Sequence, residues 1–152
     1  MTAESASLDG KLALHPRFAP ALARIGADGA PVIVIDNFLR QPAALIEYAA
    51  AHSVFEGVTD TFYPGVRAPI PPIYCFALRA FLGRFMAEAF DFGDSPVVGE
   101  LAHFSLVTTP PARLNALQRM PHIDTTDPRQ LAVLHYLCDG AHGGTSFYRH
   151  RR

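Results

Sequence analysis

The side chains best suited to chemistry lie toward the end of the 152-residue sequence. His122 and Asp124 stand one residue apart in QRMPHID, ahead of the apolar run LAVLHYL and the pair Gly143-Gly144. Four of the seven histidines fall within residues 121–152. Two side chains separated by one residue on a strand share a face, with Cα atoms about 6.5–7 Å apart. An imidazole nitrogen and a carboxylate oxygen placed that way can reach one cation together. Joined by a histidine from a distant strand, they would make a 2-His-1-carboxylate site with open positions, an arrangement that suits non-haem Fe(II). A three-residue pattern arises often by chance, and its plain alternative is a polar turn at the surface.

Tyr63 and Arg67, in the stretch TFYPGVR, are candidates for substrate binding. They sit in a proline-rich loop that could line a substrate entrance, where a fixed guanidinium suits a carboxylate partner. A structural salt bridge is the competing role for Arg67. His135 lies inside an apolar run and fits a satisfied core imidazole or one standing behind a metal ligand. His103 is similar, whereas His15, His52 and His142 fit surface or loop positions. No Ser/His/Asp or Cys/His spacing marks a nucleophile, and no G-x-G-x-x-G phosphate loop is present.

The elements that must position these residues follow from periodicity. PVIVIDNFL, from Pro31, is a β-branched run and reads as a buried strand. Pro42 suits a first helical turn, Asn37 or Gln41 could cap it, and Leu45, Ile46, Ala49 and Ala50 recur at helical spacing. A helix is therefore expected over residues 42–52. Residues 53–74 carry four prolines in TFYPGVRAPIPPIY and read as a long ordered loop. A second helix is expected over residues 74–92, with Leu78, Phe81, Leu82, Phe85, Met86, Ala89 and Phe90 as a core-packing stripe. After residue 96 the period changes to two: VVGELAHFSLVTT, a segment at or just before His122 and Asp124, LAVLHYL and TSFYRH read as consecutive strands. The chain reads as a single domain, with a loosely structured lead-in over residues 1–30 that could hold one short helix. Supporting strand and helices fill residues 31–95, and a β core fills residues 96–152.

Composition bounds the function. Lys+Arg number 13 against Asp+Glu 14, for a formal net charge of −1, so nothing draws the surface toward nucleic acid or anionic lipid. Arg149, Arg151 and Arg152 form too short a basic tail for a nucleic-acid arm. Cys75 and Cys138 form no C-x-x-C pair and read as reduced thiols, a disulfide between them being the alternative. The first residues lack a signal-peptide pattern, and no apolar run approaches the roughly 20 residues needed to span a bilayer. The expectation is a soluble cytoplasmic protein.

Taken in order, His122-x-Asp124, LAVLHYLCD and GGTSF resemble the Fe(II)/2-oxoglutarate-dependent oxygenases of the prolyl 4-hydroxylase type. VIVIDNFL and the helix after it are similar to that family's N-terminal strand and helix. YPGVR, HFSLVTTPP, QRMPHID and GGTSFYRHR together look like a bacterial subgroup with such a core. The resemblance implies an α+β fold, with an N-terminal strand and helices packed on a double-stranded β-helix (jelly-roll or cupin-like) core. It implies His122 and Asp124 as metal ligands for Fe(II). It also implies Tyr136 as a hydrogen-bond partner of 2-oxoglutarate, and Gly143 and Gly144 as a structural turn. Arg149 is a candidate to approach the co-substrate carboxylate, and His150 a weaker candidate for the third ligand. Iron would bind 2-oxoglutarate and O₂ and drive hydroxylation of a small molecule or a protein side chain.

In that family the distal histidine and the basic anchor of 2-oxoglutarate lie several dozen residues beyond the Gly-Gly turn. Here 28 residues follow Asp124, and about four of eight core strands can be counted. The expectation is an oxygenase-like protein incomplete as this chain, either truncated at its C-terminus or completed by another chain. A half-barrel would expose a sheet edge and favour self-association. The alternative is a non-catalytic remnant or binding module that keeps an oxygenase-like half-fold. A cupin-like metal protein independent of 2-oxoglutarate fits H-x-D less well.

Overall fold

A β-hairpin leads the regular structure of the computed structural model, which describes Leu8 and residues 10–57, 62–94 and 101–149. β1 (Ala19–Ile25) pairs antiparallel with β2 (Ala30–Asp36), running from Ala19 opposite Asp36 to Ile25 opposite Ala30. Gly26 and Gly29 close the turn at φ +68° and +62°, a region that glycine enters without a Cβ penalty. β2 is the strand its β-branched residues predict. β1 corrects the expected lead-in, because APALARI carries little strand propensity of its own and becomes a strand by pairing. Asn37 then takes φ 54°, which asparagine tolerates better than most residues, and the next two, Phe38 and Leu39, enter the core.

Two helices follow, α1 (Ala43–His52) and α2 (Pro72–Ala89). Pro42 is the cap residue of α1 and no side chain caps it, so neither Asn37 nor Gln41 takes that role. Leu45, fully buried, and Ala44 are the residues α1 puts inside. α2 starts on Pro72 as a first-turn proline and buries Tyr74 and Leu82, with Ala77, Leu78, Phe81 and Met86 packed around them. Both helices lie within two or three residues of their expected bounds.

Between and after the helices runs a three-stranded antiparallel sheet. β3 (Glu56–Gly57) and β5 (His103–Val107) flank β4 (Gly65–Pro69). Glu56, Arg67 and Ser105 lie opposite one another across the three strands, as do Ala68 and Phe104 on the inner pair. Ala68 and Phe104 face the core and are buried; Arg67 and Ser105 therefore lie on the other face. β3 and β4 both correct the long loop expected over residues 53–74. Gly65, opposite Val107, lets the strands approach: a Cβ there would collide with the Leu106 carbonyl oxygen and sit 2.9 Å from Val107 Cα.

The core unites Leu8, Leu12, Phe38 and Leu39 with α1, Ala68, α2 and Phe104. Phe38 is its aromatic hub, 6.3 Å from the rings of Phe18 and Phe81 and 5.5 Å from His135. Residues 110–149 contribute three short 3-10 turns, at Pro111–Arg113, Leu117–Arg119 and Gly140–His142, and no strand. The expected strands at His122–Asp124, over 131–137 and over 145–149 are thus not formed among the described residues. The expected alternation is only partly kept: Leu131, His135 and Leu137 are half-buried and Leu134 and Tyr136 exposed, but Val133, expected on the inner face, is exposed as well. A strand also needs a neighbour to receive its backbone hydrogen bonds, and no described segment offers one. The fold is α+β, with two small antiparallel sheets and no closed barrel among the described residues. No described helix is long and apolar enough to cross a membrane.

Candidate functional site

His122 and Asp124 do come together. His122 Nε2 lies 3.5 Å from Asp124 Oδ1, and the two side chains are 75% and 70% exposed. The other ring nitrogen, Nδ1, is 3.3 Å from the carbonyl of Met120. A carbonyl only accepts, so Nδ1 carries the proton and donates. In the neutral ring Nε2 then offers a lone pair toward a carboxylate oxygen. Two acceptors facing each other repel unless something positive sits between them, either a proton on Nε2 or a cation.

The spacing admits a cation. Donors at the usual reach of about 2.1 Å from one metal are at most about 4.2 Å apart, and 3.5 Å falls inside that limit. The Nδ1–H bond to a backbone carbonyl is also the kind of contact that fixes a ligating imidazole in its tautomer. Among the described residues no third His, Cys, Asp or Glu joins the pair. The pair thus offers two donors on an open segment, without the enclosure that a dry pocket would give.

The remaining expected residues lie elsewhere. Tyr136 hydrogen-bonds the hydroxyl of Thr145, linking residues 131–137 to the segment beyond the Gly143-Gly144 turn. Arg149 forms an ion pair with Asp28 in the β1–β2 turn, so its charge is already matched. His150 lies outside the described residues. His103 is exposed on β5, and His142 pairs at the surface with Asp139 at 2.8 Å.

His135 is the satisfied core imidazole that its apolar setting predicts. Its Nδ1 is 2.9 Å from the Tyr74 hydroxyl, and its ring stacks on Tyr74 and meets Phe38 edge-on. Burial holds its pKa below the usual value and pushes the Tyr74 hydroxyl, beside Cys75, up to about 12. Both groups therefore stay neutral, and together they dock the C-terminal segment onto α2. Sequence reasoning passed over Tyr74, for which the only signal was a polar-tipped aromatic in the first turn of an apolar helix.

Tyr63 and Arg67 form the second cluster. Arg67 Cζ stands 4.2 Å over the Tyr63 ring, and Tyr63 is held by a hydrogen bond with the Ser105 side chain. Burial raises the pKa of Tyr63, opposed by that hydrogen bond and by the charge of Arg67. Arg67 Nε is buried with no hydrogen-bond partner among the described residues. An open groove of about 490 Å³ runs past Arg67, between the end of α1 (Tyr48, His52), Glu56 on β3 and Pro71 ahead of α2. Sequence reading missed Glu56, Tyr48 and Ser105, because cross-strand register leaves no local signal.

An α+β protein with an exposed His/Asp pair and a groove built around one arginine is what the fold and side chains define. Its family is DUF6445, a family of unknown function, to which the chain belongs: the family model matches residues 16–152. No curated protein and no solved structure matches the chain.

Proposed function

We propose that this chain carries the metal-binding half of an Fe(II)/2-oxoglutarate oxygenase-like site, acting in hydroxylation of a small molecule or a protein side chain. The observation that carries the reading is the 3.5 Å approach of His122 Nε2 to Asp124 Oδ1, with Nδ1 engaged by a carbonyl. That pairing is stabilised by a cation. Bound iron would supply activation of O₂ with 2-oxoglutarate as co-substrate. His122 and Asp124 hold and orient the ion, and a further donor and a basic anchor for 2-oxoglutarate come from outside the described residues. The jelly-roll core belongs to this proposal: the sequence LAVLHYL alternates as a strand of such a core would, and Leu131, His135 and Leu137 are its less exposed positions. So does a cytoplasmic setting, which suits two cysteines that form no disulfide among the described residues.

A second reading is a non-catalytic module that binds another strand or self-associates. It draws on the outward face of residues 131–137, where Leu134 and Tyr136 are 63% and 51% exposed. One experiment separates the two. Anaerobic calorimetric titration with Fe(II) or Mn(II), with and without 2-oxoglutarate, is expected to show stoichiometric binding that His122→Ala abolishes. Absence of metal binding in the parent chain would sink the oxygenase-like reading and leave the module.

A further inference from the structure

Arg67 is held in place from several sides, yet no acidic side chain pairs with it among the described residues. It is the third of the five residues of β4, and its backbone is fixed by Glu56 on β3 and Ser105 on β5. Its guanidinium is stacked on Tyr63, and Tyr63 is itself tied to Ser105. Glu56 lies directly across the ladder, but no ion pair joins the two among the described residues. Nε is buried without an acceptor, which is unfavourable for any donor and more so for a charged one. Arg67 as a whole is half-buried and lines the open groove, so the orphaned Nε–H is a cost that an apolar side chain at this position would not carry. A cation oriented in advance, at a cost, is what a site for an anion requires.

The groove says which anion. Tyr48, Val54, Ile70 and the rings of Pro69, Pro71 and Pro72 give it apolar surface beside the one arginine, with His52, Ser53 and Glu56 as its other polar lining. Apolar surface beside a single cation suits an organic ligand whose charged end is small. A planar guanidinium matches a carboxylate with two parallel hydrogen bonds. Glu56 on the same wall opposes a second negative charge nearby. The geometry points to this groove as a binding site for a small monocarboxylate with an apolar or aromatic body, in preference to a dicarboxylate or phosphate. The site shares no lining residue with the His122–Asp124 turn and does not depend on a metal there.

The test is a titration of the full chain in EDTA, followed by calorimetry and by NMR of the arginine Nε–H resonances. The probes are phenylacetate, 2-phenylethanol (the same body without the carboxylate), 2-oxoglutarate and inorganic phosphate. Phenylacetate is expected to bind best and to shift the Arg67 Nε–H signal. Arg67→Gln should weaken it roughly tenfold or more, the loss expected for a charge-assisted pair. Glu56→Gln should narrow the gap between phenylacetate and 2-oxoglutarate, while His122→Ala should change nothing. Equal binding of 2-phenylethanol, tighter binding of 2-oxoglutarate or phosphate, or indifference to Arg67→Gln would overturn the assignment. Should Arg67→Gln fail to fold, the parent decides: a saturable shift of the Arg67 Nε–H signal supports the site, and a static signal refutes it.

Discussion

Arg67 stands on a strand laddered on both sides, whereas His122 and Asp124 stand on a segment that makes no ladder at all. The first has its charge clamped by an aromatic ring; the second pair is open to water. The difference lies in when the ordering cost falls. At Arg67 it is met on folding, so a ligand finds its partner waiting. At the His122–Asp124 turn it falls on the ligand, and a metal bound by these two residues alone should be weak and exchange readily. Supporting shells, more than the identity of the reactive residues, separate a prepared site from a potential one.

The contrast can be broken most severely at Gly65. Gly65→Val puts a side chain into the Leu106 carbonyl and should separate β4 from β5. The expected loss is more than about 4 kcal/mol, or roughly 10 °C or more in Tm by circular dichroism. An unchanged Tm would mean that the close strand approach holds nothing in place.

The next largest effect is expected at His135, which fastens the ladder-free segment to α2. His135→Ala should cost about 1–3 kcal/mol in denaturant unfolding, through a lost buried hydrogen bond and lost packing. It should also raise amide exchange over residues 121–149 while leaving β4 protected. pH sharpens the point. Burial lowers the folded pKa of His135 below the unfolded value of about 6.5, so the unfolded chain binds the proton more readily. Its contribution is full above about pH 6.5 and declines as pH falls from there toward the lower folded value. Stability curves from pH 8 to 5 should be flatter for His135→Ala than for the parent, and parallel curves would exclude His135 as the source.

The smallest effect is expected at Asp28→Asn, which removes the exposed partner of Arg149 and should cost under about 1 kcal/mol. Faster amide exchange confined to residues near Arg149 would show the ion pair acting as a local tether. A change spreading to β4 would show that the two regions are coupled.

Most regular elements were legible because they carry their own period. The β-branched run of β2 and the apolar stripe of α2 announce themselves within a few residues. β1 and β4 did not, since alanines and prolines conceal strands that exist through their partners. The converse failure is residues 131–137, where a strand pattern finds no neighbour to complete it. At the candidate sites His122 and Asp124 do lie side by side, but on an irregular segment and not on the strand from which their spacing was read. The matched charge of Arg149 could not be read, because Asp28 lies more than a hundred residues away. Nor could the row of Glu56, Arg67 and Ser105, which depends on register across two loops.

The bond between Tyr74 and His135 spans 61 residues of sequence. At a synthesis rate of about 5–20 residues per second, Tyr74 is made roughly 3–12 s before the imidazole that will cover it. Through that interval Phe38 and Tyr74 wait with one side unoccupied, and the hairpin, both helices and β5 must hold without it. The segment carrying His135 is thus fastened later than the elements it packs on, and its arrival, more than its own structure, covers Phe38 and Tyr74.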